Sequence, residues 1–499
     1  MEAIIAGFQA IFTDPLAIFM LFFGVFFGIV FGCIPGLTAT LGVALMIPFT
    51  YTMTSTQGLS LLIAIYVGGI SGGLITATLI NIPGTPSSIF TTFDGYPMAA
   101  SGKPREALSL GVFVSMIGGT FSAIALFAIA PQLAKVALIF GNWEYFAVAL
   151  MGLCVVISMA SKDLLTGLVG SILGILAGCI GIDSMTGAQK LTFGVWQLAN
   201  GLQSTALMMG LFAIREILVQ TKDIGAKPRM KLDFGKMSFL PPWDMVKTGW
   251  KATLMGCLIG TGIGILPGIG QNASTLITYN QAKRMSKNPE LFGHGSPEGI
   301  CASETSNNAT NGGALIPLVT LGIPGDLTTS ALIGGLMIQG LQPGPMLFEQ
   351  HVDVVGTVMV AYFLTNFIMY ILELGMMKIF IRAVAVKFSI LFPAIVMFCV
   401  LGVFALNNRT FDLWVLLITG FLSYILDQMG VDMTPVILGF ILGPLIDFYF
   451  HRAMIADNGN MLAIFSYPIA TVAFVIAMLF LIIPIVSKNL RDKKNALNV

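Results

Sequence analysis

Residues 302–313 read ASETSNNATNGG, which sets Glu304, Asn307, Asn308, Thr310 and Asn311 inside an otherwise apolar stretch. An ionisable side chain at that depth is a functional candidate by default, because burying a charge in hydrocarbon is expensive. Glu304 is therefore a candidate to bind a coupling Na+ or to carry a proton, and the amides of Asn307, Asn308 and Asn311 offer neutral oxygens for the cation. The competing reading puts Glu304 at the membrane interface, paired with a loop lysine.

Four further groups of residues follow proline-glycine breaks. Gly36, Leu37, Thr38, Ala39 and Thr40 come after Pro35, and Gly268, Ile269, Gly270, Gln271, Asn272, Ala273 and Ser274 after Pro267. Gly84, Thr85, Pro86, Ser87 and Ser88 come after Pro83, and Gly325, Asp326, Leu327, Thr328 and Thr329 after Pro324. A helix that starts at the membrane centre presents free N–H groups and a partial positive charge, which suits a carboxylate. Glycine lets backbone approach a ligand, and short hydroxyls and amides add donors without adding charge. The substrate-binding candidates are Gly36, Leu37, Thr38, Thr40, Gly84, Thr85, Ser87, Gly268, Gly270, Gln271, Asn272, Ser274, Gly325, Asp326 and Thr328. The plainer alternative makes them N-caps and packing glycines, with Asp326 an ordinary cap.

Other chemistry lacks its residues. HExxH, GxSxG and GxxxxGK[ST] are absent, so the chain is expected not to be an enzyme and not to hydrolyse nucleotide itself. The six cysteines are scattered and only three histidines exist, which suggests neither a metal site nor a disulfide framework. No cofactor is expected beyond Na+ or H+ as a coupling ion.

The elements that must hold these groups are membrane helices. Of 499 residues, 56% are hydrophobic and 10% charged, and the mean hydropathy is +0.89; soluble domains carry roughly 25% charged residues. Net charge is +1 without a basic block, so nucleic acid is not a partner. The N-terminus lacks the positive n-region of a cleaved signal peptide and is expected to be retained.

The chain repeats itself. GVFFGIVFGCIPG (24–36) and GCLIGTGIGILPG (256–268) share G-x3-G-x3-G-x2-P-G. SGGLITATLINIPGTPSS (71–88) is answered by NGGALIPLVTLGIPGDLTTS (311–330) in the same order. Between the halves, residues 221–251 hold Lys222, Lys227, Arg229, Lys231, Lys236, Lys247 and Lys251, which marks a cytoplasmic linker. The division is 1–220 for a first transmembrane repeat, 221–251 for the basic linker, 252–486 for a second repeat and 487–499 for a basic tail.

Corresponding loops differ in charge. Residues 51–58 have no basic residue, whereas 280–295 carry Lys283, Arg284 and Lys287. After the IPG motifs the pattern reverses, with Lys103 and Arg105 against Glu349 and Asp353. This predicts an all-α polytopic membrane protein of two inverted-topology repeats. Residues 250–279 are expected to form a re-entrant helical hairpin with arms of about 15 residues, roughly 22 Å each. Residues 16–50 are its counterpart, and broken transmembrane helices are expected near Pro83 and Pro324. The basic tail fits the inversion only if 434–450 crosses the membrane without a partner.

GCIPGLTATLGVALMIPFTY, GTGIGILPGIGQNAST, NIPGTPSS and TLGIPGD resemble the signatures of the large membrane subunit of tripartite tricarboxylate transporters, over nearly the full length. The resemblance implies a bacterial inner-membrane, secondary active importer of di- or tricarboxylates, driven by a cation gradient. It also implies two partners, a small membrane subunit and a periplasmic solute-binding protein. The alternatives are another dicarboxylate transporter with inverted hairpin repeats, or a channel.

Overall fold

In the computed structural model, residues 2–160, 164–183, 185–220, 237–384, 386 and 388–497 are described. Lys222, Lys227, Arg229, Lys231 and Lys236 of the expected linker lie outside the described residues.

The first half opens with α1 (Glu2–Phe12) and α2 (Pro15–Cys33). Asp14 starts α2 by accepting the N–H groups of Leu16 at 2.9 Å and Ala17 at 3.3 Å, with Pro15 in the first turn where no donor is missed. The helix stops because Pro35 cannot donate and Gly36 turns at φ +87°. Helix α3 (Ala39–Thr50) restarts under Thr38, whose hydroxyl accepts from Leu41 N at 3.1 Å. The long α4 (Ser55–Ile80) begins in a Thr54–Gln57 capping box and ends on left-handed Asn81. A 3-10 turn, Pro86–Ser88, leads into α5 (Ile89–Ala100), α6 (Pro104–Ala137), α7 (Asn142–Ala160) and α8 (Leu164–Gly178). Two short strands, β1 (Gly181–Ile182) and β2 (Gln189–Lys190), pair antiparallel before α9 (Ser204–Met209), a π-turn and α10 (Arg215–Gln220).

The second half follows the same scheme. Helices α11 (Trp243–Ile265) and α12 (Gly270–Met285) flank the Pro267 break. Helix α13 (Pro297–Leu321) ends on left-handed Gly322, and α14 (Leu327–Ile338) restarts under Asp326. Then come α15 (Pro345–Gln350), α16 (Val352–Gly375), α17 (Met377–Val384), α18 (Phe388–Asn407), α19 (Thr410–Gln428), α20 (Met433–Ala456) and α21 (Pro468–Leu497).

The helices set three boundaries. Residues 243–251, assigned to the linker, are the first turns of α11, which at 23 residues is roughly 35 Å long rather than an arm of about 15 residues. Both broken helices stop before their prolines, at Ile80 and Leu321, because the residue ahead of proline is driven out of the helical region. Residues 434–450 lie within α20, and α21 continues through the basic tail to Leu497.

Among the described residues, seven helices are long and apolar enough to cross a membrane: α2, α4, α6, α16, α18 from Ser389, α19 and α20. Helix α13 is absent from that set because it is too polar, yet from Gly299 to Thr320 it is wholly buried. Its polar groups face protein rather than lipid, as backbone-satisfied segments in a bilayer require.

Helices α4 and α13 form the centre. Helix α2 packs along α4 and α11 along α13, each through its glycine row. A Cβ on Gly28 would approach Gly69 N to 2.8 Å, and one on Gly260 would approach Ser306 O to 2.7 Å. The repeated G-x3-G-x3-G is therefore a contact surface that allows backbones to touch. Helix α6 crosses onto α13 and α16 onto α4, which interlocks the two halves.

Candidate functional site

The first break meets the second half. Thr40, in the first turn of α3, has its hydroxyl 2.8 Å from that of Thr328 in the first turn of α14. Helix α12 lies against the 3-10 turn Pro86–Ser88, so the second tip faces the first broken helix. Four helix starts, two from each half, thus converge on one region.

Asp326 occupies the most connected position. One carboxylate oxygen accepts from Thr329 N at 2.7 Å and Thr329 Oγ1 at 2.8 Å, capping α14. The other accepts from the Tyr66 hydroxyl of α4 and the Gln271 amide of α12. Gln271 also donates to Asn311 Oδ1 at 2.9 Å and to the Tyr66 oxygen at 3.1 Å. Asp326 is 3% exposed and Tyr66 fully buried. A buried carboxylate survives without a cation partner only when hydrogen bonds replace its hydration, and four donors do so here.

The remaining candidates divide by environment. Thr85 Oγ1 lies 3.1 Å from Ser87 Oγ beside α12. Asn272 is exposed at the start of α12, whereas Ser274 turns inward to Ser306 at 2.5 Å. Leu37 is buried in the apolar core. Gly84 and Gly325 lie against the carbonyls of Gly32 and Gly264, the same pair of positions in each half. Gly268, at φ +71°, donates its N–H to Gly325 O at 2.8 Å, and Gly270 turns at φ +66°. Gly36 faces the Gln220 amide at the end of α10.

Glu304 is fully buried, which removes the interfacial lysine pairing considered from the sequence. Its carboxylate accepts from Thr91 of α5, and from Ser115 of α6 at 3.2 Å. Asn308 donates back to Glu304 O at 3.2 Å. Asn307 lies beside the Glu304 carboxyl, and among the described residues Oδ1 of Asn308 and Nδ2 of Asn311 are buried with no hydrogen-bond partner. The four coupling-ion candidates thus lie on one helix, but Asn311 belongs to the Asp326 network.

Several members carry no signal as site residues in the sequence: Tyr66, Thr91, Ser115 and Gln220 gain meaning only through partners distant along the chain. Glu373 has one, being an acid inside an apolar run, YILELG. Outside the spans, Asp94 accepts from Gly293, Gly295 and Ser296 N–H at 2.8–3.0 Å and from Tyr279 OH at 2.7 Å, pinning the loop before α13.

Residues 18–438 match the family model described as the tripartite tricarboxylate transporter TctA family. An uncharacterized 52.8 kDa protein in the TAR-I ttuC' 3'region of Agrobacterium vitis is 34% identical over 494 residues, covering 98% of this chain and 97% of the relative. An uncharacterized protein in the TAR-II ttuC' 3'region of the same organism is 32% identical over 236 residues, covering 47% of this chain and 97% of the relative. No solved structure matches.

Proposed function

The chain belongs to the tripartite tricarboxylate transporter TctA family, is a multi-pass transport protein and not an enzyme, and from that premise we propose that it is the translocating subunit of a secondary active importer. It carries a di- or tricarboxylate across the bacterial inner membrane by alternating access, driven by a cation gradient. The observation that carries this reading is the Thr40–Thr328 contact, which brings the first break against the second broken helix.

In this reading α2–α3 and α11–α12 are re-entrant hairpins of two inverted repeats, entering from opposite sides. The substrate carboxylate is met by the N-termini of α3 and α12, by Thr38, Thr40, Thr328, Thr85, Ser87 and Asn272, and by the open backbone at Gly36 and Gly270. Helix α14 contributes less attraction than the sequence suggested, because Asp326 already neutralises its N-terminus with a carboxylate. Asp326 and Gln271 instead tie the second tip to α4, and the substrate is held at the rim of that network. Glu304, with Asn307 and Asn308, supplies the coupling-ion oxygens for Na+ or H+. Helices α20 and α21, packed on α8 and α7, are the last two crossings and return the basic tail to the cytoplasm. The small membrane subunit and the periplasmic solute-binding protein are its partners.

The test is uptake into proteoliposomes holding the chain and those partners, across a panel of di- and tricarboxylates. Thr40→Ala and Asn272→Ala are expected to lower uptake at least tenfold with the protein still folded in the membrane. Unchanged kinetics in both would remove the assigned site. Absence of counterflow in the unaltered protein would remove the transporter reading itself.

A further inference from the structure

We propose that Glu373, with Ser71, is a proton-carrying site that couples transport to a pH gradient; this rests on the transporter reading above. Glu373 lies on α16 near its end, fully buried. One carboxyl oxygen is 2.6 Å from Ser71 Oγ on α4. The other has no hydrogen-bond partner among the described residues. No ion pair among the described residues includes Glu373.

A single neutral hydroxyl is thin support for a buried carboxylate, which needs several donors or a cation to remain ionised. Asp326 has four donors, and Glu304 has two together with nearby hydroxyls and amides. Glu373 has one. A hard cation takes about six oxygen ligands, and among the described residues Ser71 is the one side chain hydrogen-bonded to Glu373. A proton needs no such shell: the neutral acid donates to Ser71 Oγ, and the ion accepts from it.

The helices packed on α16 bring few other charges. Cys33 of α2 and Glu304 of α13 are the titratable groups that interact electrostatically with Glu373. Tyr66 of α4 is engaged with Asp326. Glu2 of α1, Arg105 and Lys135 of α6, Glu349 of α15, and Lys378 and Arg382 of α17 are exposed, and Glu106 of α6 is half-buried near its start.

The position links Glu373 to the site. Ser71 lies on α4 between Gly69, which packs on Ala39 at the start of α3, and Gly73, which packs on Thr85. Cys33 is the last residue of α2 before the break. Adding or removing a proton at Glu373 therefore changes charge directly behind the first tip, on the helix face opposite the proposed substrate. Asn366, two turns earlier on α16, has an Oδ1 with no hydrogen-bond partner among the described residues, and Tyr362 donates to Asn308 O at 3.1 Å, continuing a polar seam toward Glu304.

The experiment compares the unaltered chain with Glu373→Gln, reconstituted with the partner subunits and assayed with the carboxylate panel. Glu373→Gln keeps the shape and the bond to Ser71 but cannot cycle a proton. We expect accumulation driven by an inward proton gradient to fall at least tenfold, counterflow to stay within about twofold, and the pH dependence of exchange to flatten. Unchanged gradient-driven accumulation would overturn the Glu373 assignment while leaving the transporter reading intact. Counterflow absent from the unaltered chain would overturn that reading first. Should the variant fail to fold, carbodiimide labelling of the unaltered complex decides: modification at Glu373 that slows as pH rises supports the site, and its absence overturns it.

Discussion

Replacing Asp326 with alanine tests whether the convergence of the two halves rests on one carboxylate. The substitution removes the cap of α14, worth about 1 kcal/mol. It also leaves the Tyr66 hydroxyl and the Gln271 amide, both buried, without their shared acceptor, at about 1–3 kcal/mol for each orphaned donor. Water entering the vacated space lowers the sum, so the expected loss is about 3 kcal/mol or more, over a hundredfold in the folding equilibrium. The sharper measurement is a double-mutant cycle with Tyr66→Phe. Alone, that change deletes a hydrogen bond to a charged acceptor and costs about 1.5–3 kcal/mol. In the Asp326→Ala background it deletes an orphaned hydroxyl instead, and is expected to be neutral or stabilising. Reversible unfolding in mixed micelles, followed by circular dichroism, gives the four free energies, with an expected coupling above about 1.5 kcal/mol. Additivity within about 0.5 kcal/mol would refute the network.

Other consequences follow from the same contacts. Gly268→Ala meets both a left-handed backbone at φ +71° and the Val156 side chain, so a loss of about 1–3 kcal/mol is expected in the same assay, with uptake impaired. Lys190 bridges Asp183, in the segment after α8, to Asp447 on α20; Lys190→Met is expected to cost about 1 kcal/mol or less, a difference that added salt erases. The Lys190 ammonium, with the N–H groups of Thr186 and Met185, holds the Asp183 carboxyl well below the usual range. Because the folded value lies below the unfolded one near about 3.9, that contribution is complete above about pH 4 and is lost as pH falls toward the folded value; acid titration of loop proteolysis checks the sign. Of the six free cysteines, only Cys179 is not buried, so maleimide labelling is expected there first.

The sequence by itself fixed what is local and one-dimensional. Hydropathy identified a membrane protein, the doubled G-x3-G-x3-G-x2-P-G placed the breaks after α2 and α11, and Asp326 was legible as a cap because capping needs only neighbouring residues. Depth and pairing were decided by tertiary structure. Glu304 looked equally suited to the interface or the core until α5 and α6 brought Thr91 and Ser115 to it from far along the chain. Glu373 stands out in the sequence only as a lone acid in an apolar run, and Tyr66 not at all; their partners, Ser71 and Asp326, are 302 and 260 residues away. The close packing of Gly84 and Gly325 is likewise tertiary: the carbonyls of Gly32 and Gly264 lie where a Cβ on each would be. A hydrogen bond depends on which helix face arrives opposite a donor, and in a bundle interlocked through α6 and α16 that is set only when both halves pack.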